Sequence, residues 1–219
     1  FWAAKTGLEA LDIEWDAGPN ANFSTATLFK AMDETSRAGK TIVASSKGDV
    51  AGVSGRRIEA IYTHPMLAHA AMEPLNAIVH VRPGACEIWV GTQVPTRAVQ
   101  VAAKVTGLRE DQIILHQHFL GGGFGRRLEA DSVEIAVRFA KQVPYPLKLI
   151  WTREEDIQHD VPRAAYLDRI SATLGKDGYP LSFTDRVTGP SVAARWAPQF
   201  LRKDGFDADT TRCAAELIY

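Results

Sequence analysis

The segment LGGGFGRRLEADS, residues 120–132, constrains this chain more than any other. Four glycines stand within five residues, followed by two adjacent arginines and an acidic stretch with the composition of a helix start. The preceding QIILHQHFL reads as a strand. A glycine run between a strand and a helix lets the backbone turn sharply and come close to a ligand, because no Cβ stands in the way. The helix start that follows offers unpaired N–H groups to an anion, and Arg126 and Arg127 add cationic donors. A phosphate or pyrophosphate is the expected occupant; the alternative is a tight turn that glycine merely permits. So flexible a loop loses much conformational freedom on folding, which favours the ligand. The common nucleotide patterns do not fit. In G-x-G-x-x-G the third glycine is replaced by Arg126, whose side chain blocks close helix–strand approach, and the lysine of a P-loop is missing. Phe124, an aromatic between glycines, suits a flat partner or a pocket wall.

Periodicity and punctuation predict the remaining elements. Residues 1–11 read as a short amphipathic helix with Phe1, Ala4, Leu8 and Leu11 on one face. A second helix is expected from Ser24 or Thr25 to Ala38, closed by Gly39, and the Gly/Ser-rich stretch after it is the linker candidate. Strands are expected over 57–64 and twice within NAIVHVRPGACEIWVGT, a hairpin turning at Pro83 and Gly84. Pro95 suits the first position of a helix that Gly107 closes. After the glycine loop a helix is expected over about 128–142, largely buried because its apolar residues occupy more than one face. PLKLIWT is a further strand, and a last hairpin turns at Lys176, Asp177 and Gly178. Residues 112–152 are expected to form one strand–helix–strand crossover. The fold class is therefore α+β, with mixed sheets, β-hairpins and strand–helix–strand crossovers.

The composition excludes some functions. A net charge of −1 over 219 residues gives no track for a polyanion. Two distant cysteines, Cys86 and Cys213, form no disulfide scaffold or Cys-rich metal site. No apolar run reaches the roughly 20 residues of a membrane helix. The chain opens inside a helix-like stretch and stops without punctuation, and is read as an excerpt of a longer protein.

LGGGFGRRLEAD, preceded by LAHAAMEPLNAIVHV and EIWVGTQVPTRAVQVAAKVTGL and followed by PLKLIWTREEDIQHD, resembles the molybdenum-binding large subunit of the xanthine oxidase family. The paired arginines resemble the branch of isoquinoline 1-oxidoreductase beta subunits and related aldehyde dehydrogenases. The resemblance implies a molybdopterin-binding domain, with residues 1–55 closing a small α/β hammerhead-like domain plus linker and 56–219 beginning the cofactor-binding domain. It implies a molybdenum–pterin cofactor in the cytosine dinucleotide form, and [2Fe–2S] clusters on a small partner subunit. It implies hydroxylation of an isoquinoline-like N-heterocycle with water as oxygen source, or oxidation of an aldehyde. A third reading is a non-catalytic module that holds a phosphate-bearing ligand. By motif match, Gln93 resembles the glutamine that hydrogen-bonds an oxo ligand of the metal. Phe124 and Gly125 resemble loop residues lying against the metal, and Gly122, Gly123 and Arg126 would flank the pterin and its phosphate. No direct metal ligand is implied. Where purine-oxidising relatives carry an acidic residue, this chain has Leu128, which points away from purines. The family's catalytic glutamate has no match here and is expected further toward the C-terminus, so the excerpt alone is expected to be inactive. A twin-arginine signal before residue 1 would give a periplasmic or membrane-associated enzyme with a cytochrome c acceptor; without it the enzyme would be cytoplasmic.

Other polar residues invite blander readings. His64, His69, His116 and His118 are expected to be structural, since zinc needs about three or four converging ligands. Within the resemblance, His69 and Glu73 sit near the cofactor chamber. Glu154, Glu155 and Asp156 read as a solvated turn before a helix, and no G-x-S-x-G elbow supports a hydrolytic triad. Trp2, Trp15, Trp89 and Trp151 are expected in the core, with Trp89 close enough to Gln93 to line a pocket.

Overall fold

The computed structural model describes residues 1–208 and Thr210; Cys213 lies outside the described residues. In chain order the elements are α1 (Trp2–Glu9), α2 (Thr25–Ala38), β1 (Arg56–His64), β2 (Asn76–Arg82), β3 (Ala85–Val90), α3 (Pro95–Thr106), β4 (Ile113–Gln117), α4 (Asp131–Ala140), β5 (Leu147–Ile150), α5 (Arg153–Gln158), β6 (Tyr166–Leu174), β7 (Pro180–Thr188) and α6 (Val192–Trp196). They fall into two compact units, Phe1–Ile13 with Ala68–Arg163, and residues 14–67 with the described residues from 164 onward. The mixed α+β class is as expected. Residues 40–55 hold no helix or strand and lie inside the second unit. Among the described residues no helix is long and apolar enough to cross a membrane.

The first unit is built on a four-stranded sheet of order β4-β3-β2-β5. β2 and β3 form the expected antiparallel hairpin, with Arg82 opposite Ala85 and Gly84 at φ +77 in the turn. Alternate residues of these strands, Ala77 and Val79, then Cys86, Ile88 and Val90, face one side and are buried. α3 and α4 close that face with Ala98, Ala102, Val133, Ala136 and Val137. Alanine at these contacts lets the helices settle close to the sheet. Burial pushes the Cys86 thiol up to about 11, against a smaller opposing effect of Arg82, so it packs as an unreactive apolar group.

The punctuation read from the sequence explains the helix ends. Ser24 Oγ accepts from Thr27 N–H at 3.1 Å, and Thr27 Oγ1 accepts from Ser24 N–H at 3.3 Å, closing a reciprocal cap on α2. Gly107 takes the left-handed conformation after α3, at φ +78, and its N–H donates to Ala103 O at 2.8 Å.

The second unit holds an antiparallel sheet of order β1-β6-β7. α2 packs on it through Met32, Leu28 and Phe29 against Ala165 and Leu167. Beneath α2, Arg169 ion-pairs with Asp33 and donates to Ser36 Oγ, and Arg186 donates to Ser36 O at 2.6 Å. These bonds satisfy a buried serine that would otherwise destabilise the packing.

Several expectations need correction. β4 runs parallel to β3 and reaches it through α3, whereas β5 lies at the opposite edge beside β2. Residues 112–152 therefore cross the whole sheet and do not join neighbouring strands; α3 supplies the adjacent crossover. α4 begins at Asp131, because residues 126–128 form a separate 3-10 turn after left-handed Gly125. Only one face of α4 is buried, and Ile135 and Phe139 on the rest are exposed. No residue of α1 is buried. Trp2 and Trp15 are largely exposed, and Trp89 stacks on His116 with centroids 4.9 Å apart. The acidic trio lies within α5, capped by Thr152, and Asp156 is buried.

Two substitutions separate core from cap. Ile88→Ala removes a fully buried side chain and is expected to lower unfolding free energy by about 2–5 kcal/mol. Ser24→Ala should lower it by about 1 kcal/mol. Urea denaturation of both variants checks this; an Ile88→Ala loss no larger than that of Ser24→Ala contradicts the placement of the core.

Candidate functional site: the glycine loop and its buried arginines

The glycine loop leaves β4, where His118 N–H still donates to Val90 O at 3.1 Å, and ends at α4. Gly122, Phe124 and Gly125 have φ of +106, +52 and +99. Glycine adopts such values readily; Phe124 does not, and its backbone is strained. Non-glycine residues held this way concentrate at functional sites. Phe124 is 63% exposed as a residue, and its ring lies over Gly122, where an added Cβ would meet its edge at 3.0 Å. The Phe124 carbonyl accepts from Arg163 at 3.0 Å.

Gln93 reaches the loop from the turn between β3 and α3. Gly125 N–H donates to its Oε1 at 3.2 Å. The atom facing a backbone N–H must be the amide oxygen, so the orientation of this side chain is fixed. Its Nε2 then has two donor hydrogens with no acceptor among the described residues. The N–H groups of Gly122, Gly123 and Phe124 also find no acceptor among the described residues. An added Cβ on buried Gly123 would stand 2.6 Å from Gln93 Oε1, so glycine here makes room for the glutamine.

The arginines behave differently from the expected anion donors. Both are buried, at 5% and 3% exposure, and both guanidinium groups point into protein. Arg126 holds Asp131 through two bonds of 2.8 Å, and its Nε pairs with Asp160. Its backbone N–H donates to Gly123 O at 2.8 Å. Burial works against the charge of Arg126, but Asp131 and Asp160 outweigh it and raise its affinity for the proton. Arg127 donates to Gly91 O at 3.1 Å and to Glu73 O at 3.0 Å, and pairs with the Glu73 carboxylate at 2.6 Å. The physical reason is desolvation: a buried guanidinium is stable only beside carboxylates, and here they come from distant segments. The phosphate-flanking role read for Arg126 is therefore not available to its guanidinium in this arrangement. The arginines brace the loop from behind.

The other wall is the HAAMEP segment. Glu73 N–H donates to Gly121 O at 3.1 Å, and Gly121 N–H donates to Glu73 Oε2 at 3.0 Å. Arg153 clasps the carbonyls of Ala71 and Met72 at 2.5 and 2.9 Å and pairs with Asp156, whose other oxygen accepts Leu75 N–H at 3.0 Å. His69 bonds Asp160 through Nδ1 at 2.9 Å. Ala70, beside it, is the second non-glycine residue at positive φ, +46. Asp131, Asp156, Asp160, Arg153 and Arg163 carried no sequence signal of this role, because their partners are remote or buried. Among the other histidines, His64 faces Asp168 at 3.1 Å, His116 faces Glu87 at 2.9 Å and His159 faces Glu155 at 2.6 Å. Among the described residues no group of three His, Cys, Asp or Glu side chains is placed to hold a metal ion.

The Glu73 carboxyl supplies a pH test. Burial alone would raise its pKa, but Gly121 N–H, Asn76 and Arg127 outweigh burial and hold it below the usual carboxylate value. A depressed folded-state value contributes stability above about pH 4.5, and that stability is lost as pH falls through the folded value. The denaturation midpoint should therefore fall on acidification below about pH 4.5, and Glu73→Gln should flatten that part of the profile. The same substitution should cost about 1–3 kcal/mol at neutral pH, since Arg127 loses its counter-charge. Denaturation profiles between about pH 3 and 7 check both; superimposable wild-type and variant profiles contradict the pairing.

The sequence profile of the molybdopterin cofactor-binding domain family matches residues 13–189. The chain is 29% identical to the isoquinoline 1-oxidoreductase subunit beta of Brevundimonas diminuta, over 91% of this chain and 27% of that protein. It is 31% identical to a membrane-bound aldehyde dehydrogenase (pyrroloquinoline-quinone) of Gluconacetobacter polyoxogenes, over 90% of this chain and 25% of that protein. It thus spans about a quarter of the length of these curated relatives. Quinoline 2-oxidoreductase from Pseudomonas putida 86 superposes with a TM-score of 0.55 at 16% identity, over 70% of this chain and 22% of that one. CO dehydrogenase from Oligotropha carboxidovorans gives 0.52 at 20% identity, over 72% and 18%. At such identities the superpositions establish the fold. With a profile match over most of its length, a shared fold and the glycine loop at its centre, the chain belongs to the molybdopterin cofactor-binding domain family.

Proposed function

We propose that this chain is part of the molybdenum-binding large subunit of an oxidoreductase that hydroxylates an electron-poor N-heterocycle of the isoquinoline type, with water as the oxygen source. The observation that carries this reading is the glycine loop: Gln93 is fixed by Gly125, and neither its Nε2 nor the three consecutive backbone N–H groups has an acceptor among the described residues. A surface of neutral donors around a backbone without side chains fits a cofactor rich in acceptor atoms. When bound, the molybdenum–pterin group supplies the redox chemistry of oxygen insertion.

The chain's own residues bind and orient. Gln93 would donate through Nε2, Gly122 and Gly123 through their amides, and Phe124 would both donate its N–H and wall the chamber with its ring. Gly125 keeps Gln93 in place, and Arg126 acts from behind the loop. Leu128, in place of an acidic residue, favours a heterocycle without the polar edge of a purine. The similarity to the beta subunit of isoquinoline 1-oxidoreductase supports this substrate class, and that to an aldehyde dehydrogenase favours aldehyde oxidation as the second reading. The proposal includes the cytosine dinucleotide form of the cofactor, a small partner subunit carrying [2Fe–2S] clusters, and a cytochrome c acceptor if the complex is exported.

The decisive measurement is molybdenum and acid-released cytidine nucleotide in the full-length protein, purified with its neighbouring subunit from a host able to make the cofactor. About one of each per chain is expected, and metal-free protein would sink the reading in favour of a non-catalytic phosphate-binding module. Comparing turnover of a quinoline-type heterocycle with that of an aldehyde then separates the two chemistries. Gly123→Ala gives a sharper test. The added Cβ collides with the flexible end of Gln93, which can swing aside, so stability should change by less than about 1 kcal/mol. Molybdenum content should nevertheless fall several-fold, because Gln93 and Gly125 lose their geometry. A variant that loses stability but keeps its metal would make the loop a mere turn.

A further inference from the structure

His69 is a histidine with one ring nitrogen secured and the other without a partner among the described residues. Its side chain is 10% exposed, and that of Asp160 is 3% exposed. Asp160 Oδ2 accepts both the His69 backbone N–H, at 2.7 Å, and the ring Nδ1, at 2.9 Å. A carboxylate beside Arg126 only accepts, so Nδ1 carries the proton, and in the neutral ring the lone pair lies on Nε2. No described residue hydrogen-bonds Nε2. That atom faces the glycine loop, 3.7 Å from where a side chain on Gly125 would begin. The ring is held there through Asp160, whose other oxygen pairs with the loop's own Arg126. One carboxylate therefore fixes the histidine and the loop in a common frame.

We propose that His69 is a further cofactor-contact residue, whose Nε2 accepts a hydrogen bond from an N–H or O–H of the bound pterin-type cofactor beside Gly125, with Asp160 and Arg126 as positioning residues. The assignment rests on the molybdopterin reading of the loop. It explains features that a packing role leaves without purpose: a nine-tenths buried ring with an unpaired acceptor, aimed at a loop that has exchanged side chains for closeness.

The test uses the full-length holoenzyme with its partner subunit. Molybdenum and cytidine nucleotide are followed over successive gel-filtration passes in wild type and in His69→Asn. The asparagine amide can donate to Asp160 as Nδ1 does, but has no atom where Nε2 stands. The expected result is a wild-type melting temperature with cofactor loss about five- to tenfold faster, the effect of one hydrogen bond. Wild-type retention in His69→Asn overturns the assignment. If that variant folds poorly, His69→Gln decides, since its amide oxygen reaches the Nε2 position: slow loss supports the contact and rapid loss overturns it. A wild-type holoenzyme that never contains molybdenum refutes the cofactor reading itself, and this inference with it.

Discussion

Two guanidinium groups buried behind a run of glycines hold this site together. Neither could stay there unpaired, because removing a full charge from water costs far more than a single contact returns. Asp131 and Asp160 satisfy Arg126, and Glu73 with two carbonyl groups satisfies Arg127. The partners come from the HAAMEP segment, the turn after β3, the start of α4 and the chain beyond α5. Each segment is tied to the loop by the same electrostatic demand, so the loop's shape follows from neutralising its own arginines. The glycines alone would leave it free to sample many conformations.

Against that frame the strained residues make sense. Phe124 and Ala70 hold positive φ next to anchored groups: Arg163 takes the Phe124 carbonyl, and His69 beside Ala70 is bonded to Asp160. The strain is local and modest, on the order of 1–3 kcal/mol per residue, and it places backbone donors where relaxed chain would turn them away. Gln93 completes the arrangement from a turn that the α3–α4–sheet core fixes on one side, with Thr92 Oγ1 donating to Arg127 O and Gln93 N–H donating to the same carbonyl.

Much of this was legible in the sequence, and the boundary of legibility is physical. Ser24, Pro83-Gly84, Pro95 and Gly107 act on their immediate neighbours, so local reading places the α2 cap, the β2–β3 hairpin and both ends of α3. The glycine loop stood out by its composition, and Gln93 only through the resemblance of its motif. The ion pairs were not. Arg127 and Glu73 are 54 positions apart, and nothing in either neighbourhood names the other. Asp156 sits in an acidic run that looks solvated, and only the fold reveals that it is buried beside Leu75 N–H. The opposite edges occupied by β4 and β5 were hidden likewise, since strand order is a property of the whole sheet. Trp2 and Trp15 show the reverse failure: apolar size suggests burial, but the described chain offers them no cover.

The inward aim of both arginines has a consequence for how the loop would respond to its medium. A phosphate clamp made of exposed guanidinium groups weakens as salt rises, because mobile ions screen full charges over about 10 Å. Here the groups without an acceptor among the described residues are amides: Gly122, Gly123, Phe124 and the end of Gln93. Amide dipoles act at contact distance and carry no net charge for an ion atmosphere to gather around. Recognition through them would depend on shape and on exclusion of water, and would change little between dilute buffer and brine.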